Sequence, residues 1–435
     1  IEALPVDIIG LNCATGPDLM QEHVRFLGER TTRMVAVLPN AGLPRNVDGR
    51  TVYDLQPAEL ASFHRRFVQD YGVTAVGGCC GTTPAHIAAI YEAVRGLVPR
   101  SRPDYVEPEL ASLYSAVPLD QDSGPLIIGE RTNANGSKLF RDKLLVEDWD
   151  SLVELGKVEV KEGAHALDVC TAYVGRDEVR DMSEVISRFV TQVPTPIVVD
   201  STQLDVLEAS LKLIGGRPII NSINLEDGEP KADEICRLAR RFGCALIALT
   251  IDEEGMAKTA ERKLEVAVRI HDIVTKRHGL PSECLLFDPL TFTIASGDED
   301  SRDAAIQTLE GIRLIKEALP GVRTLLGLSN VSFGLKPYPR RVLNSVFLGE
   351  ARNCGLDAAI MNGSKILPLH TLDEDDLRIT RDLIYDRRDG AYDPLFAFID
   401  RFAGRKADAA SVVDEMSLSV EERLEDLLSR MTLAE

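Results

Sequence analysis

Long hydrophobic runs are missing from this chain of 435 residues. No apolar stretch approaches the ~18 residues that a membrane-spanning helix requires. No basic segment followed by an apolar one opens the chain, so no secretory leader is read from it. Positive charge is also short: 49 Lys and Arg stand against 69 Asp and Glu, a formal net charge of -20. A field of that sign repels nucleic acid and anionic lipid, and an anionic ligand would need a local cation or a helix N-terminus. Neither a nucleic acid nor a membrane is therefore expected as a partner. Cysteine is sparse, with eight in all, which excludes a disulfide scaffold and fits a reduced, cytoplasmic setting. Five of these, Cys170, Cys236, Cys244, Cys284 and Cys354, fall in apolar surroundings and read as buried, inert thiols. The seven histidines form no metal pair at helical spacing; His165 precedes a strand and His271 looks helical.

What is present is a rhythm. Between Pro125 and Lys365 a short apolar run, ending in a carboxylate, an amide or a small polar residue, is followed by a helix-length stretch, eight times over. The runs are 126–130, 166–169, 196–200, 218–221, 245–250, 285–288, 324–328 and 358–362. Eight such units are what a closed (β/α)8 barrel needs, and that fold builds its chemistry at the C-terminal ends of the strands. The expected class is therefore α/β, a TIM barrel with flanking segments.

Residues 1–98 hold three more strand-helix units: a strand over Val6–Cys13 with a helix over 18–28, a strand over 34–38 with a helix over 57–71, and a strand over 74–78 with a helix over 84–96. Three units cannot close a barrel, so they are read as the last part of a second (β/α)8 barrel whose beginning lies outside this chain. Residues 99–125 carry five prolines and read as an extended linker. The main barrel is expected over 126–372, and a short, charged helical tail over 373–435. In the tail, helices are expected at Glu374–Ile384, from Asp393-Pro394 onward, and at Val420–Met431, where Ser419 and Glu422 form a capping box. Their apolar faces either pack back on the barrel or open a further helical domain.

Two constellations carry chemistry. Cys13 ends one strand of the first segment, and Cys79-Cys80 ends another, so one rim of a barrel brings three thiols together. Three thiolates with an open fourth position suit a catalytic zinc; two unrelated buried strand ends are the alternative. In the main barrel, Asp168, Asp200, Asn221, Asp288 and Asn330 close or closely follow apolar runs. Carboxylates accept and amides both donate and accept, which suits a heterocycle rich in N–H groups. Such residues also serve as turn and helix-cap groups. Asp252, Glu253 and Glu254 read as a solvated loop or cap.

These motifs carry a resemblance. Gly10-Leu11-Asn12-Cys13 with Gly78-Cys79-Cys80-Gly81 resembles the C-terminal part of a zinc-dependent homocysteine methyltransferase barrel. Gly129-Glu130-Arg131-Thr132-Asn133-Ala134-Asn135-Gly136-Ser137 resembles the start of a pterin-binding barrel. Asp200-Ser201, Asn221-Ser222-Ile223-Asn224, Asp288-Pro289-Leu290 and Gly327-Leu328-Ser329-Asn330-Val331-Ser332-Phe333 continue that pattern in order. The whole layout is similar to the cobalamin-dependent methionine synthase family.

By this resemblance Cys13, Cys79 and Cys80 would ligate zinc and present homocysteine. Asp200, Asn221 and Asp288 would bind the pterin, with Glu130, Asn133 and Asp168 as supporting groups at the barrel mouth. Asn330, and with it Asp288, would serve the chemistry at the methyl-bearing nitrogen. The implied reaction moves a methyl group from 5-methyltetrahydrofolate to cob(I)alamin and on to homocysteine. The corrinoid would be held by a cobalamin-binding domain of the same protein, since no Asp-x-His-x-x-Gly motif occurs in this chain. Two other readings remain: a dihydropteroate synthase-like enzyme, although Ser329-Asn330 stands where that family's lysine motif is expected, and a folate-holding module without chemistry of its own.

Overall fold

The computed structural model describes residues 1–405, and the chain divides into two compact units, Ile1–Glu107 and Pro108–Glu435. The helix expected at Val420–Met431 lies outside the described residues. The first unit runs β1 (Ile8–Asn12), α1 (Pro17–Arg30), β2 (Met34–Leu38), β3 (Pro44–Val47), β4 (Arg50–Tyr53), α2 (Pro57–Tyr71), β5 (Ala75–Val76) and α3 (Pro84–Val94). Strands β1, β2 and β5 form a parallel sheet in that order, around a core of Val24, Val35, Val37, Phe67 and Val73. Helix α2 starts where the sequence places it, because Pro57 pre-sets its first turn and Gln56 and Glu59 close a capping box. The β3–β4 hairpin is an addition to the expected units. Its turn, Asp48-Gly49, has positive φ at both residues, the geometry a two-residue hairpin loop requires.

The second unit opens with a hairpin, β6 (Glu109–Ala111) and β7 (Ala116–Pro118). It continues with β8 (Leu126–Gly129), α4 (Lys138–Leu145), α5 (Trp149–Lys161), β9 (Ala166–Val169), α6 (Glu178–Gln192), β10 (Ile197–Asp200), α7 (Leu204–Leu211), β11 (Ile219–Ile223), α8 (Glu229–Phe242) and β12 (Ala245–Leu249). A small hairpin follows, β13 (Ile251–Asp252) and β14 (Gly255–Met256). Then come α9 (Ala260–Asp272), β15 (Leu285–Asp288), α10 (Ala304–Ala318), β16 (Arg323–Gly327), α11 (Pro337–Asn353), β17 (Ala358–Ile360), α12 (Glu374–Ile384) and α13 (Pro394–Phe402). Strands β8 to β12 and β15 to β17, without the small hairpin, close into one parallel barrel, β17 pairing back onto β8. All eight apolar runs are barrel strands.

Alternation within these short strands separates two cores. Leu126, Ile128, Ala166, Val198, Ile219, Ala245, Ile247, Leu286, Leu325 and Ala358 form one buried cluster with a contribution from every strand, which is the barrel interior. Their neighbours Leu167, Val199, Ile220, Leu246 and Phe287 face the helices instead. Both faces are covered, so the strands read as continuous apolar runs.

The segment 99–125 is not one extended linker. Arg100 and Arg102 donate to the carbonyls of Asp70 and Gly72, which ties the first part to the first unit. From Pro108 onward the chain belongs to the barrel unit, because Leu110 and Leu119 are fully buried in the barrel-interior cluster. The hairpin is pinned there by paired backbone bonds between Ala111 and Arg217, at 3.1 and 2.8 Å. Proline excluded regular helix from this stretch but did not stop its apolar residues from sealing the barrel floor.

The tail helices pack back on the barrel. Leu383, Ile384, Leu395, Phe398 and Phe402 share a cluster with Val342, Val346 and Phe347 of α11. Asp393 caps α13 through the Leu395 and Phe396 N–H groups and pairs with Arg302 at 3.0 Å. Among the described residues no helix is long and apolar enough to cross a membrane.

Leu110→Ala should leave a cavity in the barrel floor and lower the unfolding free energy by about 2–4 kcal/mol, read from urea denaturation. An unchanged midpoint would show that the hairpin contributes nothing to the core.

Candidate functional site

The barrel register decides what lines the mouth. Side chains alternate along a strand, so the interior residues fix which later positions also point inward. Counting on by two from Ile128, Ala166, Val198, Ile219 and Leu286 reaches Glu130, Asp168, Asp200, Asn221 and Asp288. The other three strands present Leu249, Gly327 and Ile360 at the same level. Five of eight inward strand ends are polar, and none is a cation. The mouth therefore favours hydrogen-bond donors over anions.

Asn133, on the loop after β8, is held by bridge pairing with Cys170 beyond the end of β9. Its amide nitrogen donates to Asp168 Oδ2 and to Asp200 Oδ2, both at 2.7 Å. Asn221 Nδ2 donates to Asp168 Oδ1 at 3.2 Å. Four of the expected residues thus form one hydrogen-bonded group. Asp168 is 2% exposed. Burial pushes Asp168 and Asp200 above the carboxylate range, each amide bond pulls back, and at Asp200 the neighbouring Asp168 charge adds to the rise.

Asp288 accepts from the Leu290 N–H at 2.8 Å and the Gly327 N–H at 3.4 Å. Burial pushes it up to about 6 against those bonds. Asn330 lies on the 3-10 turn Leu328–Ser332 that follows β16, and it is exposed. A side chain at Gly327 would bring its Cβ to 3.1 Å from Asn330 Nδ2 and 4.0 Å from Asp288 Oδ2. Glycine there leaves the space between these two groups open. The turn is bound to the first strand end, since Ser329 Oγ donates to Glu130 Oε2 at 2.9 Å. Arg340 of α11 holds it from behind, donating to Ser329 O and Ser332 Oγ at 3.0 Å each.

Several polar groups prove to be structural. Asn362 accepts from the Ser364 N–H and hydroxyl and caps a short turn. Asp252, expected in a solvated loop or cap, is instead buried at the end of β13 and ion-paired to Arg262, while Glu253 and Glu254 are exposed. Cys236, Cys244 and Cys284 are buried thiols that burial pushes up to about 12. Cys170 departs from the expected apolar surroundings: it accepts from Asn135 Nδ2 at 3.5 Å and lies beside Asp200.

Other contributors escaped the sequence reading. Glu159 of α5 is 3% exposed and accepts the Arg131 N–H at 2.9 Å, while its Oε2 has no partner among the described residues. Burial raises it to about 7, and the Glu130 charge adds to the rise. Lys263 of α9 is fully buried. A signal for it existed: it lies three, four and seven residues before the buried Val266, Ala267 and Ile270, so it sits on the apolar stripe of its helix.

In the first unit the three thiols do converge. Cys13 Sγ lies 3.7 Å from Cys80 Sγ, Cys79 Sγ lies 3.9 Å from Cys80 Sγ, and all three sulfurs fall within 4.8 Å of one another. Bonds of about 2.3 Å to one tetrahedral metal would space thiolate sulfurs by about 3.8 Å, so the donor set fits a soft divalent cation with one position left open. Buried Asn40 fixes the pair by accepting the Cys80 N–H at 3.1 Å. The Ala14 N–H and the neighbouring thiols hold Cys13 below the usual thiol range.

Residues 129–362 match the model of the pterin binding enzyme family, and residues 1–94 match that of homocysteine S-methyltransferase. The methionine synthase of Mycobacterium tuberculosis (strain ATCC 25618 / H37Rv) is 47% identical over 420 residues, 96% of this chain and 35% of that protein. That of Mycobacterium leprae (strain TN) is 46% identical over 427 residues, with the same shares. The chain thus spans about a third of the length of these relatives. Among solved structures, a dihydropteroate synthase of Xanthomonas albilineans aligns with a TM-score of 0.46 at 21% identity, covering 60% of this chain and 94% of that one.

The raised Glu159 carboxyl has a consequence for stability. A carboxyl whose folded value lies above its unfolded value stabilises fully below the unfolded value, and that contribution is lost as pH rises through the folded one. Unfolding free energy should therefore fall by about 3 kcal/mol between pH 4.5 and pH 7.5 relative to Glu159→Gln, measured by denaturant titration at each pH. Parallel pH profiles for the two proteins would show that Glu159 does not titrate in this range.

Proposed function

The chain belongs to the pterin binding enzyme family, and from that membership we propose that its barrel mouth binds 5-methyltetrahydrofolate and releases the methyl group to cob(I)alamin. The observation that carries this reading is the inward ring of Asp168, Asp200, Asn221 and Asp288 facing the exposed amide of Asn330. An amino-pyrimidinone edge offers N–H donors, and ionised Asp200 and Asp288 accept them, while Asn221 both donates and accepts. The cross-linked amides keep these acceptors in place before the ligand arrives, so binding energy goes into orientation.

Methyl transfer breaks the bond between the methyl carbon and a ring nitrogen. The bonding pair stays on that nitrogen, so a proton must reach it for the amine to leave. Asn330 can follow that change: its Oδ1 accepts from the nitrogen once protonated, and its Nδ2 donates to the lone pair before. Asp288 lies across Gly327 from this turn, and burial raises its carboxyl to about 6. Glu130 and Ser329 keep the turn closed on the mouth. The corrinoid acceptor is read as the property of a separate cobalamin-binding domain.

Homocysteine is the second substrate in this reading, taken by the first unit at Cys13, Cys79 and Cys80. Zinc bound by these thiols supplies the Lewis acidity that keeps a substrate thiol as thiolate at neutral pH. The spacing of the three sulfurs and the depressed value at Cys13 support that role. Product formation as methionine and tetrahydrofolate follows from joining the two halves, as does a methyltransferase assignment for the whole protein.

Binding and chemistry separate in two variants. Asp200→Ala should weaken pterin binding by about 1–3 kcal/mol, the cost of leaving donors unmatched in a buried site, read by calorimetry with tetrahydrofolate. Unchanged affinity would remove Asp200 from the site. Asn330→Ala should keep most of the binding and slow methyl transfer to added cob(I)alamin by about 10²-fold, and undiminished transfer would refute its role.

A further inference from the structure

We propose that Lys263 is a positioning residue of the barrel mouth, the buried cation that holds the Asp288 corner from behind the strand. The inference rests on the reading that Asp288 meets a pterin, and it adds a residue from the helix layer to that site.

Lys263 has no exposed surface. Its ammonium donates to Ala257 O at 2.9 Å, to Pro289 O, and more weakly to Leu290 O at 3.4 Å. It also stands 5.2 Å from the centre of the Phe292 ring. Pro289 and Leu290 are the two residues that follow Asp288. Leu290 adopts φ +64°, a conformation that costs energy for a branched side chain, and its N–H is the one that binds Asp288 Oδ1. Helix α10 completes the clamp. Thr308 Oγ1 donates to Leu290 O at 2.9 Å, and Gly311 leaves the slot for the lysine stem, where a Cβ would come within 2.8 Å of Lys263 Cδ.

This arrangement has an electrical as well as a geometric effect. An ammonium taken out of water is costly unless it meets partners of opposite charge or strong dipoles. Asp288 is faced by the neutral Leu290 and Gly327 N–H groups and, across Gly327, by the Asn330 amide. The positive charge acting on it is that of Lys263 on α9, whose own value burial lowers to about 8. Burial drives the Asp288 carboxyl toward its protonated form, and this charge acts in the opposite direction. Ionisation frees all the acceptor sites of a carboxyl and strengthens the bonds it accepts, so the cation behind the strand bears on recognition in front of it.

The test uses the full-length protein and tetrahydrofolate as the probe. Affinity is measured from pH 5 to pH 8 for wild type, Lys263→Met and Thr308→Val. In parallel, ligand-free infrared difference spectra follow the protonated-carboxyl band that Asp288→Asn removes. Lys263→Met should move the Asp288 midpoint to higher pH by about one unit, so that affinity drops about threefold at pH 6.5 and recovers by pH 8. Thr308→Val, which loosens the same corner without removing charge, should leave the midpoint in place. An unmoved midpoint in Lys263→Met, or an affinity lost equally at every pH, overturns the inference. If Lys263→Met does not fold, Gly311→Ala displaces the lysine stem and should move the midpoint in the same direction by a smaller amount; no movement there counts against the inference. Failure of the wild type to bind tetrahydrofolate would sink the pterin reading alone, because the infrared band reports on Asp288 without ligand.

Discussion

Closing a parallel sheet into a barrel leaves a strand with one decision, which parity of residue faces in. Everything at the mouth of this barrel depends on that choice. In β10 it buries Val198 inside, turns Val199 to the helices and delivers Asp200 to the rim. A slip of one residue would face Val199 inward and put the carboxylate behind the sheet. The strands resist the slip because both of their faces are buried, by interior packing on one side and the helix layer on the other. The hairpin that carries Leu110 closes the floor, so the C-terminal ends are where inward positions are free to be polar.

Polarity at such a rim has to be stabilised locally. Two buried aspartates and the half-buried Asp200 within one mouth resist ionisation, and an arginine or lysine among them would relieve that cost. It would also occupy the acceptor oxygens and suit the mouth to anions. Amides are used instead. One Asn133 nitrogen serves two carboxylates with its two hydrogens, and Asn221 serves a third oxygen. Each aspartate keeps unshared acceptor capacity, and the raised carboxyl values show that the amides offset only part of the burial cost. A ligand rich in N–H groups would supply the rest, which is the energetic ground of the proposed pterin reading.

The parts of this design that were legible in the sequence are those written in local pattern. Eight apolar runs with polar ends correspond to eight strands, and Pro57 and Asp393 mark their helix starts. The thiols of Cys13, Cys79 and Cys80 were placed together because strand ends share a rim. Segment 99–125 was misjudged in part, since proline content speaks to backbone conformation and says nothing of where Leu110 and Leu119 are buried. At Asn362 the polar strand end is a cap, which looks like an inward site residue without the register. Glu159 and Arg340 lie in helices with ordinary charged faces, and only tertiary packing turns them toward the mouth, whereas Lys263 stands on the apolar stripe of its helix.

Those three side chains have a common logic. Each loop that carries a mouth residue must satisfy backbone groups that the barrel ladder no longer serves. Glu159 accepts the N–H of Arg131 just after Glu130, Lys263 donates to the carbonyls of Pro289 and Leu290 just after Asp288, and Arg340 donates to the carbonyl of Ser329 just before Asn330. A long side chain reaches from the helix layer to the loop, and an ionic group makes the bond shorter and stronger than a neutral one. Helices α5, α9 and α11 therefore set the position of the mouth residues, and at Asp288 the lysine of α9 bears on its electrostatics as well. A mouth built this way responds to substitutions in a layer that no ligand touches.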